Sequence, residues 1–237
     1  KEGRIRENLT LHCKNAPETR ISFSGFCVDD TILDEILAKL SVDEETIITF
    51  TGRIPAGISI DKVKVFLTQL QENGAKIVLD SKSFGLEDIY EIKPWLIKPN
   101  QEEISEYFGC LIVNMEDAAA KAEELALHGV ENVMISMGDK GALLLNEGKL
   151  YVAKPPVVHA VSTIGAGDST IAGFIAATLQ GAEAKECLKT AVAFGTAACM
   201  TEGTKPPRKE EIVYNHTKQQ ISHEKNLKKY AKRGIVY

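Results

Sequence analysis

The chain has 237 residues, a formal net charge of −5, and 44% hydrophobic and 26% charged residues. At roughly 100 to 200 residues per domain, that is one large domain or one domain with an appendage, long enough to bury a core without staples. The composition excludes a disordered chain, a collagen and a disulfide scaffold.

No apolar run approaches the roughly 18 to 20 residues of a membrane span, and no charged segment followed by an apolar one opens the chain. Five scattered cysteines without a C-x-x-C pair point to neither a zinc site nor a disulfide framework. A cytoplasmic protein with no membrane partner and no nucleic-acid partner is expected. Residues 205–233 are locally basic, with Lys225, Lys228, Lys229, Lys232 and Arg233 spaced so that most of them share one face of a solvated terminal helix.

In chain order, short alternating runs at 4–13 and 20–26 predict a two-stranded β ribbon. A helix follows at 31–40, a strand at 46–51, a helix at 62–71 and a strand at 76–80 ending in Asp80-Ser81. After a further helix come a strand at 95–98 stopped by Pro99, helices at 102–108 and 116–128, a strand at 132–137 and a hairpin at 142–152. A helix follows from 171 to 179 and another from 183 to 200, on which Cys187 and Cys199 read as core, as do Trp95 and Phe108.

Strands alternating with helices predict an α/β protein with a mainly parallel central sheet covered on both faces. In such sheets ligands bind beyond the carboxyl ends of the strands. Thr51-Gly52-Arg53, Asp80-Ser81, Lys98-Pro99-Asn100 and Ser136-Met137-Gly138 all stand there, and one rim is expected. A boundary is placed near residue 26, dividing a lid segment, 1–26, from the main domain, 27–237.

The sharpest motif is Ser162-Thr163-Ile164-Gly165-Ala166-Gly167-Asp168-Ser169 before an apolar helix. Two glycines and an alanine at a helix N-terminus leave backbone N–H groups open at the positive end of the macrodipole, which suits a phosphate. Asp168 either caps the helix or accepts a proton from an attacking hydroxyl. Asn100 and Glu103, three apart after Pro99, make a capping box in the simplest reading. His159 reads as a loop residue.

The run 162–175 resembles at every position the C-terminal signature of the PfkB (ribokinase-like) carbohydrate kinases. Other segments agree in order: 51–57 is similar to that family's Ser-Gly-Ser-Leu-Pro-Pro-Gly turn, 78–81 to Leu-Asp-Thr-Ser, 97–103 to Lys-Pro-Asn-x-x-Glu and 136–141 to Ser-x-Gly-x-x-Gly. Within the family the 1-phosphofructokinase and tagatose-6-phosphate kinase branch looks nearest.

The resemblance implies a three-layer ribokinase-like fold with a small β-strand lid, and an ATP- and Mg²⁺-dependent kinase acting on a ketohexose phosphate. Fructose 1-phosphate, converted to fructose 1,6-bisphosphate, is the first expectation. Tagatose 6-phosphate and a non-catalytic binding protein are the alternatives.

Carried over residue by residue, the resemblance makes Asp168 the general base and Gly165, Ala166 and Gly167 the anion hole. Ser136, Gly138, Gly141 and Gly167 would contact the nucleotide. Asn100 and Glu103 would arrange the magnesium. Arg6, Asn8, Gly52, Arg53 and Asp168 would contact the phosphosugar, with Arg53 standing where the family has Ser. The loop after the 183–200 helix would border the adenine, and lid strands would pair two chains into a homodimer. The resemblance begins inside the lid: the family's front segment, with a Gly-Gly-x-x-x-Asn signature and an early Asp, has no counterpart here, so the first strands of the family fold are expected to be absent.

Overall fold

In a computed structural model of the chain, residues 4–13, 16–203 and 205–224 are described. The ribbon is present as an antiparallel pair, β1 (Asn8–Cys13) and β2 (Ala16–Ser22), forming a sheet of its own. Leu9 stands opposite Ile21, and Leu11 opposite Thr19.

The second sheet has seven strands in strict sequence order: β3 (Ile47–Thr51), β4 (Lys76–Asp80), β5 (Leu96–Ile97), β6 (Asn132–Ser136), β7 (Ala142–Asn146), β8 (Lys149–Lys154) and β9 (Gln220–Glu224). β3 to β6 pair in parallel, and β7, β8 and β9 follow in antiparallel steps. β8 therefore runs with β6, and five of the seven strands share one direction.

Helices cover both faces. α1 (Thr31–Leu37), α2 (Ile60–Glu72), α3 (Leu86–Ile92), α4 (Gln101–Phe108) and α5 (Met115–Leu127) contribute to one core. α6 (Ala166–Leu179) and α7 (Ala184–Cys199) contribute to the other. The pleat sorts the side chains: Ile77 and Leu79 enter the first core and Val78 the second, while Val133 and Ile135 are separated in the same way from Met134. Strands buried on both faces read as continuous apolar runs for this reason.

Ahead of the expected basic helix, the C-terminal region forms one helix and one strand. α8 (Lys209–Lys218) ends at Gln219, and β9 then pairs along β8 from Leu150 to Lys154. Strand pairing is a long-range event that local charge spacing does not register. Lys225, Lys228, Lys229, Lys232 and Arg233 lie outside the described residues. Trp95 and Phe108 are half-buried rather than fully interior: Trp95 lies against Phe174 at 5.8 Å, and the Lys121 ammonium lies 4.3 Å from the centre of the Phe108 ring.

The chain after the ribbon meets the main domain at a close backbone contact. Cys27 bridges Ala56, and Val28 N donates to Ala56 O at 2.9 Å. Gly57 is obligatory there, with φ +92° and a position at which a Cβ would stand 2.0 Å from Val28 O.

Candidate functional site

The carboxyl ends of β3 to β6 form one edge, and hydrogen bonds between adjacent strand ends hold it. Ser81 Oγ donates to Gly52 O at 2.6 Å, Gly52 N to Asp80 O at 3.2 Å, and Ser136 N to Pro99 O at 3.0 Å, with a bridge between Asn100 and Ser136. The expected rim is formed.

Above it begins α6. Gly165, in the left-handed region at φ +79°, turns the chain into the helix without any side-chain cap. Ala166 N donates to Thr163 O and Ser169 N to Gly165 O. Among the described residues Gly167 N and Asp168 N have no acceptor, and the exposed Asp168 carboxylate has no hydrogen-bond or ion-pair partner. A capping role would have required that carboxylate to accept a hydrogen bond from a backbone N–H at the start of the helix. What remains is a helix start with two open backbone N–H groups, a geometry that suits an anion, beside a carboxylate with no partner among the described residues.

Beneath α6 stands a group that the motif reading passed over. Lys98 is only 4% exposed, and its Nζ lies 3.4 Å from Asp80 Oδ2. A Cβ on Gly167 would come within 3.3 Å of that Nζ and 3.9 Å of Asp80 Oδ2, so this glycine lets the helix end settle onto the ion pair. Burial pushes the Asp80 carboxyl above its ordinary value; Lys98 pulls it down, and Glu103 and Asp168 push it up. Asp80, Lys98, Glu103 and Asp168 are thus one electrostatic group. Tyr107 borders it, its hydroxyl 3.4 Å from Ser81 O and its phenol pushed up by burial and then by Glu103 and Asp80. The only cue in the sequence was a lysine in the apolar strand end Leu96-Ile97-Lys98-Pro99, and such a cue does not distinguish a buried cation from an exposed one.

Asn100 and Glu103 form the reciprocal capping box: Glu103 N donates to Asn100 Oδ1 and Asn100 N to Glu103 Oε2, both at 2.9 Å. Glu103 Oε1 is left over and faces Lys82 Nζ at 3.8 Å. Among the described residues no group of three or more His, Cys, Asp or Glu could hold a metal by itself. Magnesium, however, keeps several waters and takes one or two carboxylates plus substrate phosphates. The hard oxygens of Glu103 and Asp80 fit that requirement.

The remaining candidates are spread out. Ser136 closes β6, and Gly138 opens the 3₁₀ turn Gly138–Lys140 at φ +61° with open space at its Cβ position. Gly141 is packed against β8, where a Cβ would be 2.1 Å from Ala153 O, so its lack of a side chain is already required by the fold. Gly52 is open at φ +85°, and Arg53 beyond it is exposed. Arg6 and Asn8 are exposed on the lid, and among the described residues no hydrogen bond or ion pair joins either to the rim. Two open grooves of about 540 Å³ line α4 and the α2/α3 surface, and neither includes Gly167, Asp168 or Lys98.

The profile of the pfkB family carbohydrate kinases matches residues 2–211, which takes in the rim, the start of α6 and the ribbon. The chain belongs to that family. It is 33% identical over 222 residues to 1-phosphofructokinase of Vibrio cholerae, covering 92% of this chain and 69% of that one. It is 34% identical to 1-phosphofructokinase of Haemophilus influenzae, covering 83% and 64%. Phosphofructokinase-2 of Escherichia coli superposes with a TM-score of 0.79 at 23% identity over 91% of this chain and 71% of that chain. The fold is accordingly that of the ribokinase-like kinases, and the chain spans about two thirds of the length of these pfkB relatives. Among the described residues no helix is long and apolar enough to cross a membrane.

Proposed function

We propose that this chain carries the phosphoryl-transfer site of an ATP- and Mg²⁺-dependent phosphosugar kinase, with fructose 1-phosphate as acceptor and fructose 1,6-bisphosphate as product. One observation carries the reading: a carboxylate without a partner among the described residues, Asp168, stands in the first turn of an uncapped helix seated on the buried Lys98 ammonium. Relatives named 1-phosphofructokinase support the choice of sugar.

In the proposed reaction the acceptor hydroxyl oxygen bonds to the γ-phosphorus while the bond to the bridging oxygen of ADP breaks. Asp168 takes the hydroxyl proton as that bond forms and later releases it to water. The N–H groups of Gly167 and Asp168 and the positive end of α6 face the charge on the transferred group, and the Lys98 ammonium adds to that field from below in a water-poor setting. Glu103, with Asp80, would hold magnesium through its waters, and the metal when bound neutralises phosphate charge. Ser136, Gly138 and Gly141 lie on the side of the γ-phosphate that faces the nucleotide. Arg6 and Asn8 on the lid, with Gly52 and Arg53 at the end of β3, face the sugar phosphate, where an arginine fork suits an anion. Closing the ribbon over the rim would exclude water and suppress ATP hydrolysis.

The ribbon also supports a homodimer. Leu9, Leu11 and Ile21 share one face and are all exposed, and an isolated two-stranded ribbon is marginal in water. A second copy's ribbon is the proposed cover, and sedimentation tests it.

The deciding assay is ADP formation with ATP and Mg²⁺ against fructose 1-phosphate, fructose 6-phosphate, tagatose 6-phosphate, ribose and no sugar. Turnover on fructose 1-phosphate is expected. Turnover on tagatose 6-phosphate alone would move the protein to the other branch, and ATP binding without any turnover would make it a non-catalytic binder.

A further inference from the structure

One buried polar side chain has no part in the site described above. Asn215 on α8 is 0% exposed; among the described residues its Nδ2 donates only to Met200 Sδ, at 3.4 Å, and its Oδ1 has no partner. A thioether is a weak acceptor, and a buried amide oxygen left unpaired costs stability. A leucine of similar volume would carry no such cost, so the position calls for an explanation beyond packing.

What Asn215 touches is the end of α7, on which the anion site rests in two ways. Cys199 O, next to Met200, accepts from Val161 N at 2.7 Å and from Ser162 N at 3.2 Å, anchoring the segment that leads into Gly165. Along the same helix Gly195 lies against the first turn of α6, where a Cβ would stand 2.2 Å from Thr170 Oγ1 and 3.2 Å from Ala166 O. The chain beyond α7 is closed from the same end, with Thr201 Oγ1 bonded to Ala198 O at 2.9 Å and to Lys205 O at 3.2 Å. α7 packs on β7 and β8, whereas the lid joins the chain beyond β3, at the opposite edge of the sheet. In-line transfer puts acceptor and donor on opposite sides of the moving phosphoryl group. With the sugar under the lid, the α7 end lies on the donor side.

We propose that Asn215 is a positioning residue for ATP, acting through Met200 and Cys199 O to fix the 161–165 segment and the chain after α7. The inference rests on the kinase reading for its nucleotide half; its mechanical half concerns the protein alone.

The test uses the whole chain as Asn215→Leu and as Met200→Leu, the second keeping volume while removing the sulfur acceptor. Amide exchange at Val161 and Ser162 is expected to quicken about tenfold in both variants, and the KM for ATP to rise about five- to tenfold, while kcat and the phosphosugar KM stay within about twofold. A merely structural role would lower Tm without moving the ATP KM away from the sugar KM. Unchanged exchange, or faster exchange with wild-type ATP affinity, overturns the proposal. If Asn215→Leu does not fold, Met200→Leu carries the same readouts. Failure of the unmodified protein to bind ATP would instead refute the kinase reading and the nucleotide half with it, while the exchange data still decide whether the anchor exists.

Discussion

Around Gly167 each neighbouring group is held from several sides: Lys98 by Asp80 and by the helix settled on it, Asp80 by the end of β4, and Glu103 by its capping box. Along β1 and β2 the opposite holds, for Leu9, Leu11 and Ile21 face solvent and the arginines before the ribbon are unpaired among the described residues. The difference follows from what each region handles. A charge held within a low-dielectric rim acts strongly on a reacting group only if it does not move. On the proposed reading the ribbon is a lid that opens to admit substrate, so its apolar face and its cations stay available for contacts that form later.

The largest expected effect comes from breaking the rim at the proposed catalytic carboxylate. Asp168→Ala should lower kcat by about 10² to 10⁴ while ATP affinity measured by titration stays near normal; retained turnover would remove Asp168 from its role. Next, Lys98→Met leaves Asp80 buried and unpaired, and denaturant unfolding should show a loss of about 3 kcal/mol, most of which returns in the Asp80→Asn/Lys98→Met double variant. An unaltered midpoint in the single variant would mean that the pair is not buried as described.

On the lid side the effects should be smaller and selective. Arg6→Ala should raise the phosphosugar KM about tenfold with little change in the KM for ATP, since one charge-assisted contact is lost. Equal changes in both constants would erase the distinction between the two regions. Leu9→Ser should weaken self-association in sedimentation while leaving the thermal transition of the main domain nearly unmoved.

The smallest effect concerns α8. Arg208 beside Glu211 holds that carboxyl below its ordinary value. A lowered folded value means that the stabilisation is complete above pH 4.5, the unfolded value, and is lost as pH falls through the folded one. Tm should therefore fall less steeply on acidification in Glu211→Gln than in the unmodified chain.

The parts legible in the sequence share a local cause. Gly165 to Asp168 announce themselves because a helix N-terminus with open N–H groups is built from adjacent residues, and Asn100 with Glu103 because a capping box joins residues three apart. β4, β6 and β7 were legible as apolar runs for a similar reason, since burial on both faces leaves no polar alternation. β9 was not: residues 220–224 gain strand pairing only because β8 presents an open edge to them. Lys98 was equally hidden, because its burial depends on Asp80 at another strand end and on Gly167 some seventy residues later.

By itself, then, the amino-acid order determined the alternation of strands and helices, the family and the glycine turn into α6, all of which follow from short-range spacing and backbone freedom. Tertiary structure decided which charges lie out of water, which carboxylate is left unpartnered and which helix end supports the site. Those properties depend on desolvation and distance between segments far apart in the chain, and neither quantity exists until the sheet has assembled.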